Sequence, residues 1–190
     1  FRIKADPAVR SPAATDSTTN TRMTMQTALE RYDETTAEQA LEKLLTILPA
    51  TAVIRDVLLP YLRDIGERWA DAHLTVAQEH FASNFIHSRL LGIARGWDRG
   101  LGPRAVLACP PDEQHTFGLI AFGIALHQIG WRIIYLGADT PISMIAQAST
   151  TIRPRLTVIA AVLPSRFEKV LPELSDLGAR QTLATAGAGA

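Results

Sequence analysis

Residues 104–118 read Arg104-Ala105-Val106-Leu107-Ala108-Cys109-Pro110-Pro111-Asp112-Glu113-Gln114-His115-Thr116-Phe117-Gly118. An apolar run at 105–109 precedes the acid and the histidine, and a second apolar run, 119–126, follows them. Strand, loop, helix is the simplest reading. The loop then lies at the carboxyl end of a strand, where open α/β sheets bind their ligands. A histidine there presents a free ring edge to the crevice. Glu113 is two residues away and can reach the other ring nitrogen, fixing the tautomer as for a metal ligand. Gly118 lets a ligand or another chain approach the backbone. A histidine beside an acid in a surface loop is ordinary taken alone, so the rest of the chain has to supply context.

Downstream of 104 the pattern alternates. Strands are expected at 104–109, 132–136, 156–161 and 182–185, and helices near 115–129, 141–151 and 166–177. Such alternation implies a parallel, doubly wound (flavodoxin-like) sheet. The chain ends just past the fourth strand, and a sheet of this class ordinarily continues, so the expectation is an incomplete carboxyl end to a domain at 104–190.

Upstream, 23–97 has helical periodicity. Met25, Ala28, Leu29 and Tyr32 mark a first short helix. Thr35 with Glu38 reads as a capping box for a second, with Ala40, Leu41, Leu44, Leu45 and Leu48 as its apolar face. A third is expected over 51–72, kinked at Pro60. Thr75 with Gln78 is another capping box and opens a fourth, whose inner face is Val76, Phe81, Phe85, Leu90 and Ile93. Four helices with short connections make a bundle. The segment 96–103 (GWDRGLGP) is the expected boundary, and 1–22, rich in Ala, Ser, Thr and Pro, reads as a flexible tail.

Composition bounds the function. The 190 residues are 47% hydrophobic, enough for a real core, and the formal net charge is zero. That gives no electrostatic footprint for nucleic acid or an anionic membrane. The longest apolar run, 117–126, is too short to span a bilayer. One cysteine, Cys109, rules out a disulfide framework within the chain and fits a reducing cytoplasm.

A second constellation lies in the bundle. Trp69 falls near the end of the third helix, and Glu79 and His80 fall in the first turns of the fourth. The connection is short, so the hairpin sets all three at the same end of the bundle. A flat apolar ring, a carboxylate and an imidazole there can cap a large ligand with an apolar body and polar edges. The ordinary alternatives are core packing for Trp69, helix-dipole complement for Glu79 and solvation for His80. His87 and His127 fall in expected helices and read as structural or surface residues.

Together, Trp69, Glu79-His80, a bundle, a linker and then Glu113-x-His115-x-x-Gly118 resemble the cobalamin-binding half of the B12-dependent photoreceptors, the light-responsive MerR-type carotenoid-gene repressors. Gly130-Trp131-Arg132 and Tyr135-Leu136-Gly137-Ala138-Asp139-Thr140-Pro141 are similar to the family's second strand and following loop. The resemblance spans 23–190. It implies adenosylcobalamin bound with its nucleotide tail displaced from the metal, His115 as the lower cobalt ligand and Glu113 orienting it. Trp69, Glu79 and His80 would surround the adenosyl group, with Gly118, Gly137 and Asp139 shaping the loops beneath the corrin. Light would break the cobalt–carbon bond and shift a conformational or oligomeric equilibrium.

Three positions depart from the family. The histidine that follows the tryptophan and takes the upper cobalt position after photolysis is here Ala70, which leaves His73 and His80 as candidates for that role. The third-strand serine that meets the tail is Ala160, and the fourth-strand Gly-Gly pair is Ala186-Gly187. The resemblance extends to stand-alone sensors, the photocobilins, that hold a bilin such as biliverdin beside cobalamin, and Arg55, Arg63, Arg68, Arg89 and Arg95 are candidate propionate partners. It implies a non-enzymatic homo-oligomer acting through an effector domain or partner protein, without direct contact of this chain to nucleic acid or membrane. The competing reading is a corrinoid carrier of a methyltransferase system, against which the bulky Trp69 cap argues. A cobalamin sensor without a light response is a third.

Overall fold

The computed structural model describes residues 12–187, with side chains from residue 17. Two compact units divide the chain, 1–86 and 87–190.

The first unit is helical. Helix α1 (Pro12–Glu30) already includes residues 12–22, which were expected as tail; the remainder of that tail lies outside the described residues. Helix α2 (Glu34–Ile47) starts two residues earlier than the Thr35/Glu38 pattern implies. Asp33 accepts the Thr36 N–H at 3.0 Å and is the true N-cap. Both spacings satisfy the cap rule, and a carboxylate preceding the first turn also complements the helix dipole. The third helical run is α3 (Ala50–Val53), one π-helical turn (Ile54–Leu58) and α4 (Leu59–Ala70). Pro60 sits in the first turn of α4, and the widened turn just before it absorbs the missing N–H. The Thr75/Gln78 capping box forms as expected: Gln78 N–H donates to Thr75 Oγ1 at 3.2 Å and Thr75 N–H to Gln78 Oε1 at 3.0 Å. It opens α5 (Val76–Ile93). Met25, Leu29, Leu44, Val53, Leu58, Tyr61, Ile65 and Ile86 are buried in this unit, whereas Val76, expected inside, is exposed.

The second unit holds the sheet. Strands β1 (Arg104–Ala108), β2 (Arg132–Gly137), β3 (Leu156–Ala160) and β4 (Leu183–Ala186) run parallel in the order β2-β1-β3-β4. Helix α6 (Phe117–Gln128) covers one face. There a Cβ on Gly123 would stand 2.8 Å from Leu107 and 2.9 Å from Trp97, so glycine lets helix and strand meet. On the other face, Val106, Ala108 and Ile159 pack with Ile142 and Ile145 of α7 (Ile142–Ile152), Phe167 of α8 (Pro164–Glu168), and Leu174 and Leu177 of α9 (Leu171–Arg180). Successive residues of β1 thus serve opposite faces. The one helix expected at 166–177 is two, and Pro172 lies in the first turn of the second.

The division between units falls at 86/87, inside α5, rather than at the expected 96–103 segment. Residues beyond 86 belong with the sheet for a visible reason. Trp97 is 7% exposed and meets Tyr135 edge to face at 5.9 Å, and Ile133 N–H donates to the Trp97 carbonyl at 2.9 Å. Among the described residues no helix is long and apolar enough to cross a membrane.

Candidate functional site

The strand order reverses direction between β1 and β3, and the crevice at such a switch point is where open sheets hold ligands. The loop after β1 carries Glu113 and His115 into it. Glu113 is 1% exposed. Its Oε1 accepts the His115 N–H at 2.9 Å and the His115 ring Nδ1 at 2.6 Å. Its Oε2 accepts the Val162 N–H, from the loop after β3, at 2.8 Å. One carboxylate therefore ties together the two loops that flank the switch point. Burial alone would raise the Glu113 pKa. The N–H groups of His115 and Val162 and the imidazole outweigh it, and the carboxyl is held below its ordinary value.

An ionised carboxylate only accepts, so Nδ1 carries the hydrogen. In the neutral ring Nε2 then keeps its lone pair, and the side chain is 65% exposed. A fixed tautomer backed by a buried carboxylate, with the other nitrogen open, is the donor set that suits a soft or borderline metal.

The loops around it are sewn together by backbone. Cys109 N–H donates to Gly137 O at 2.8 Å, Thr140 N–H to Cys109 O at 3.0 Å, and Asp139 N–H to Glu113 O at 3.0 Å. Asp139 Oδ1 accepts the Asp112 N–H at 2.8 Å. Asp112 reaches the other side of the crevice, with its Oδ2 2.9 Å from Lys169 Nζ and 3.4 Å from Arg166. Cys109 is fully buried, and burial followed by the Glu113 charge pushes its thiol up to about 12, so it is an inert packing thiol. Gly187 has φ +109°, and a Cβ there would stand 2.0 Å from the Ala161 carbonyl oxygen. Gly118 faces open space. Ala160 ends β3, paired with Ala186. The sequence-predicted residues Glu113, His115, Gly118, Gly137, Asp139, Ala160 and Gly187 thus all lie at or just beyond strand carboxyl ends or in the first turn after them.

In the first unit, α4 ends at Ala70 and α5 begins at Val76, so 71–75 is the whole connection. His73 and Leu74 N–H groups fold back onto the Arg68 carbonyl at 2.8 and 3.2 Å. Trp69 is 49% exposed, not a core residue. Glu79 Oε1 accepts the Ser83 hydroxyl at 2.6 Å and its Oε2 lies 3.6 Å from His80 Nε2; His80 itself is exposed. Behind this end, Arg68 makes a two-pronged pair with Glu30 at 2.6 and 3.2 Å. Of the arginines considered for propionates, Arg55 is paired with Asp56 and Arg68 with Glu30.

Two residues escaped the sequence. Val162 acts through its backbone, which no side-chain motif reveals. His87, read as structural, places Nε2 3.4 Å from Thr116 Oγ1, beside His115. Its seven-residue spacing from His80 was the available signal.

A helical unit followed by a parallel Rossmann-like sheet, with a carboxylate-backed histidine at the switch point, is the architecture of a corrinoid-binding module. Residues 23–91 match the family described as B12 binding domain. The chain is 34% identical over 156 residues to the HTH-type transcriptional repressor CarH of Myxococcus xanthus, covering 80% of this chain and 52% of that one. It is 36% identical over 162 residues to the repressor CarA of the same organism, covering 83% and 54%. The fold matches the monomethylamine corrinoid protein of Methanosarcina barkeri, with TM-score 0.67, 15% identity and 87% and 83% of the two chains covered. Residues 23–91 thus carry a B12 binding domain, and the chain is related to the two repressors over most of its own length. It spans about half the length of the two repressors.

Proposed function

We propose that this chain binds adenosylcobalamin with its nucleotide tail displaced, takes cobalt on His115 Nε2, and converts illumination into a change of conformation or assembly. The observation that carries the reading is the Glu113–His115 pair, in which a buried carboxylate leaves one ring nitrogen protonated and the other open. Bound there, the cofactor would supply a weak cobalt–carbon bond that visible light breaks.

The chain's own residues supply the rest. Glu113 orients the ring and raises its basicity. Gly118 keeps the loop low enough for a flat ring system to approach, and Gly137 and Asp139 hold the neighbouring loop in register. Ala160 and Gly187 leave room for the tail at the ends of β3 and β4. Trp69, Glu79 and His80 are assigned to the adenosyl face on their sequence pattern, and the exposure of Trp69 fits a ring awaiting a ligand. The DNA contact of the repressors is not carried over to this chain. Its output is assigned to association of copies, or to an effector domain or partner, in the cytoplasm and without enzymatic turnover. Biliverdin as a second chromophore is the finer part of the reading.

The test is an absorption spectrum with adenosylcobalamin in the dark and after green light, with His115→Ala alongside. Stable uptake, a light-induced change and its alteration in the variant support the proposal. An added far-red band with biliverdin supports the second chromophore. Uptake of methyl- or hydroxocobalamin alone moves the chain to the methyl carriers, and no uptake of any cobalamin removes the role of His115.

A further inference from the structure

Thr116 occupies the N-cap of α6, yet its hydroxyl makes no cap bond to that helix. Threonine at this position ordinarily satisfies a free backbone N–H of the first turn. Here the side chain is 7% exposed and turned elsewhere. Its Oγ1 lies 3.4 Å from His87 Nε2 on the last turns of α5. The His87 ring is clamped edge to face on Phe117, with centroids 5.7 Å apart and planes at 85°. The residue next to His115 is therefore fastened to α5 through His87. Helix α5 begins in the first unit, where it carries Glu79 and His80, and ends in the second. His87 follows His80 by seven residues, about two turns along the same face.

We propose that Thr116 and His87 are positioning residues that couple the cobalamin loop to α5, so that displacement of His115 is passed to the helix through the Thr116 hydroxyl. The proposal rests on His115 being the cobalt ligand. In the loaded dark state the loop is held by the metal and the Thr116–His87 contact is made. When the loop moves, His87 either follows or loses its partner, and a stiff helix transmits either event along its length. The cap bond that Thr116 forgoes is the local sign of this second use.

The experiment compares Thr116→Val, Thr116→Ser and His87→Leu with the unsubstituted chain. Each is loaded with adenosylcobalamin, and hydrogen exchange of peptides from 76–93 is measured dark and after illumination. Expected is unchanged dark uptake and an unchanged cobalamin spectrum in Thr116→Val, with the light-dependent exchange change in α5 reduced severalfold. Thr116→Ser restores it, and His87→Leu matches Thr116→Val. A Thr116→Val chain that takes up cobalamin and responds as fully as the unsubstituted one overturns the coupling alone. If Thr116→Val fails to fold, His87→Leu decides: a full response overturns the proposal, a lost response supports it. Failure of the unsubstituted chain to take up cobalamin overturns the proposed function and this coupling together.

Discussion

Glu113 holds His115 twice through one oxygen, Oε1, at 2.9 Å to its backbone N–H and 2.6 Å to its ring Nδ1. The second oxygen reaches Val162 across the switch point. Orientation of the His115 ring and closure of two loops are thus one interaction. Glu113→Gln keeps the shape but lowers acceptor strength and offers an NH2 where an N–H already points. Cobalamin affinity is expected to fall by about 10–100-fold, the usual effect of losing such a support. Titration followed by corrin absorbance checks it. An affinity unchanged within twofold would separate Glu113 from ligand binding.

Gly118 and Gly187 predict opposite outcomes for the same substitution. At Gly187, alanine adds a Cβ 2.0 Å from a backbone oxygen at φ +109°, so Gly187→Ala displaces the end of β4 and lowers the melting temperature before any ligand is added. At Gly118 the added methyl meets nothing within 4 Å. Gly118→Ala is expected to melt normally and to bind cobalamin more weakly. Paired thermal melts and titrations of the two variants distinguish a glycine that the fold itself requires from one that only the ligand requires.

What was legible in the sequence was local. Strands β1 to β4 fall within about a residue of their expected ends, because apolar runs bounded by Gly and Pro are written in neighbouring positions. The Thr75/Gln78 box spans three residues and was readable for the same reason. Asp33 was harder, since two cap spacings overlap and sequence does not rank them. The Val162–Glu113 and His87–Thr116 bonds join residues 49 and 29 apart, with no local signature. The constellation at the strand ends could be guessed as a motif. Its fastening to β3 and α5 had to be seen in three dimensions.

Asp33 makes stability depend on acid. Hydrogen bonds from Thr36 depress its folded pKa below the ordinary 3.8. A depressed carboxyl contributes stability that is fully present above its unfolded value and is lost as pH falls through the folded one. Asp33→Asn keeps a neutral cap and removes the charge. The unsubstituted chain is expected to melt higher than Asp33→Asn at neutral pH, with the gap closing below pH 3.8. A gap that widens in acid contradicts the assignment of Asp33 as the charged cap.

Tyr61 is 1% exposed and its hydroxyl has no hydrogen-bond partner within the described residues. Burial, then the nearby Glu30 carboxylate, raises its pKa, so the phenol stays neutral. An unpaired buried hydroxyl costs about 1–3 kcal/mol relative to a satisfied one. Tyr61→Phe removes only that oxygen. Denaturant unfolding is expected to show equal or greater stability, by up to about 1 kcal/mol. A clear loss would reveal a bridging water or another partner that the hydroxyl serves.

Trp69 tests the cap separately from the fold. A tryptophan left 49% exposed at the end of α4 contributes less to the bundle than a core ring does. Trp69→Ala is therefore expected to change the stability of the cobalamin-free chain by only about 0.5 kcal/mol, the range of surface substitutions. If the ring meets the adenosyl group, the variant binds adenosylcobalamin more weakly while methylcobalamin, which lacks that group, binds as before. Side-by-side titrations with the two cofactors read the difference directly. A large loss of stability with unchanged preference between them would return Trp69 to a packing role. The upper-face assignment would then rest on Glu79 and His80, whose carboxylate is already partnered by Ser83.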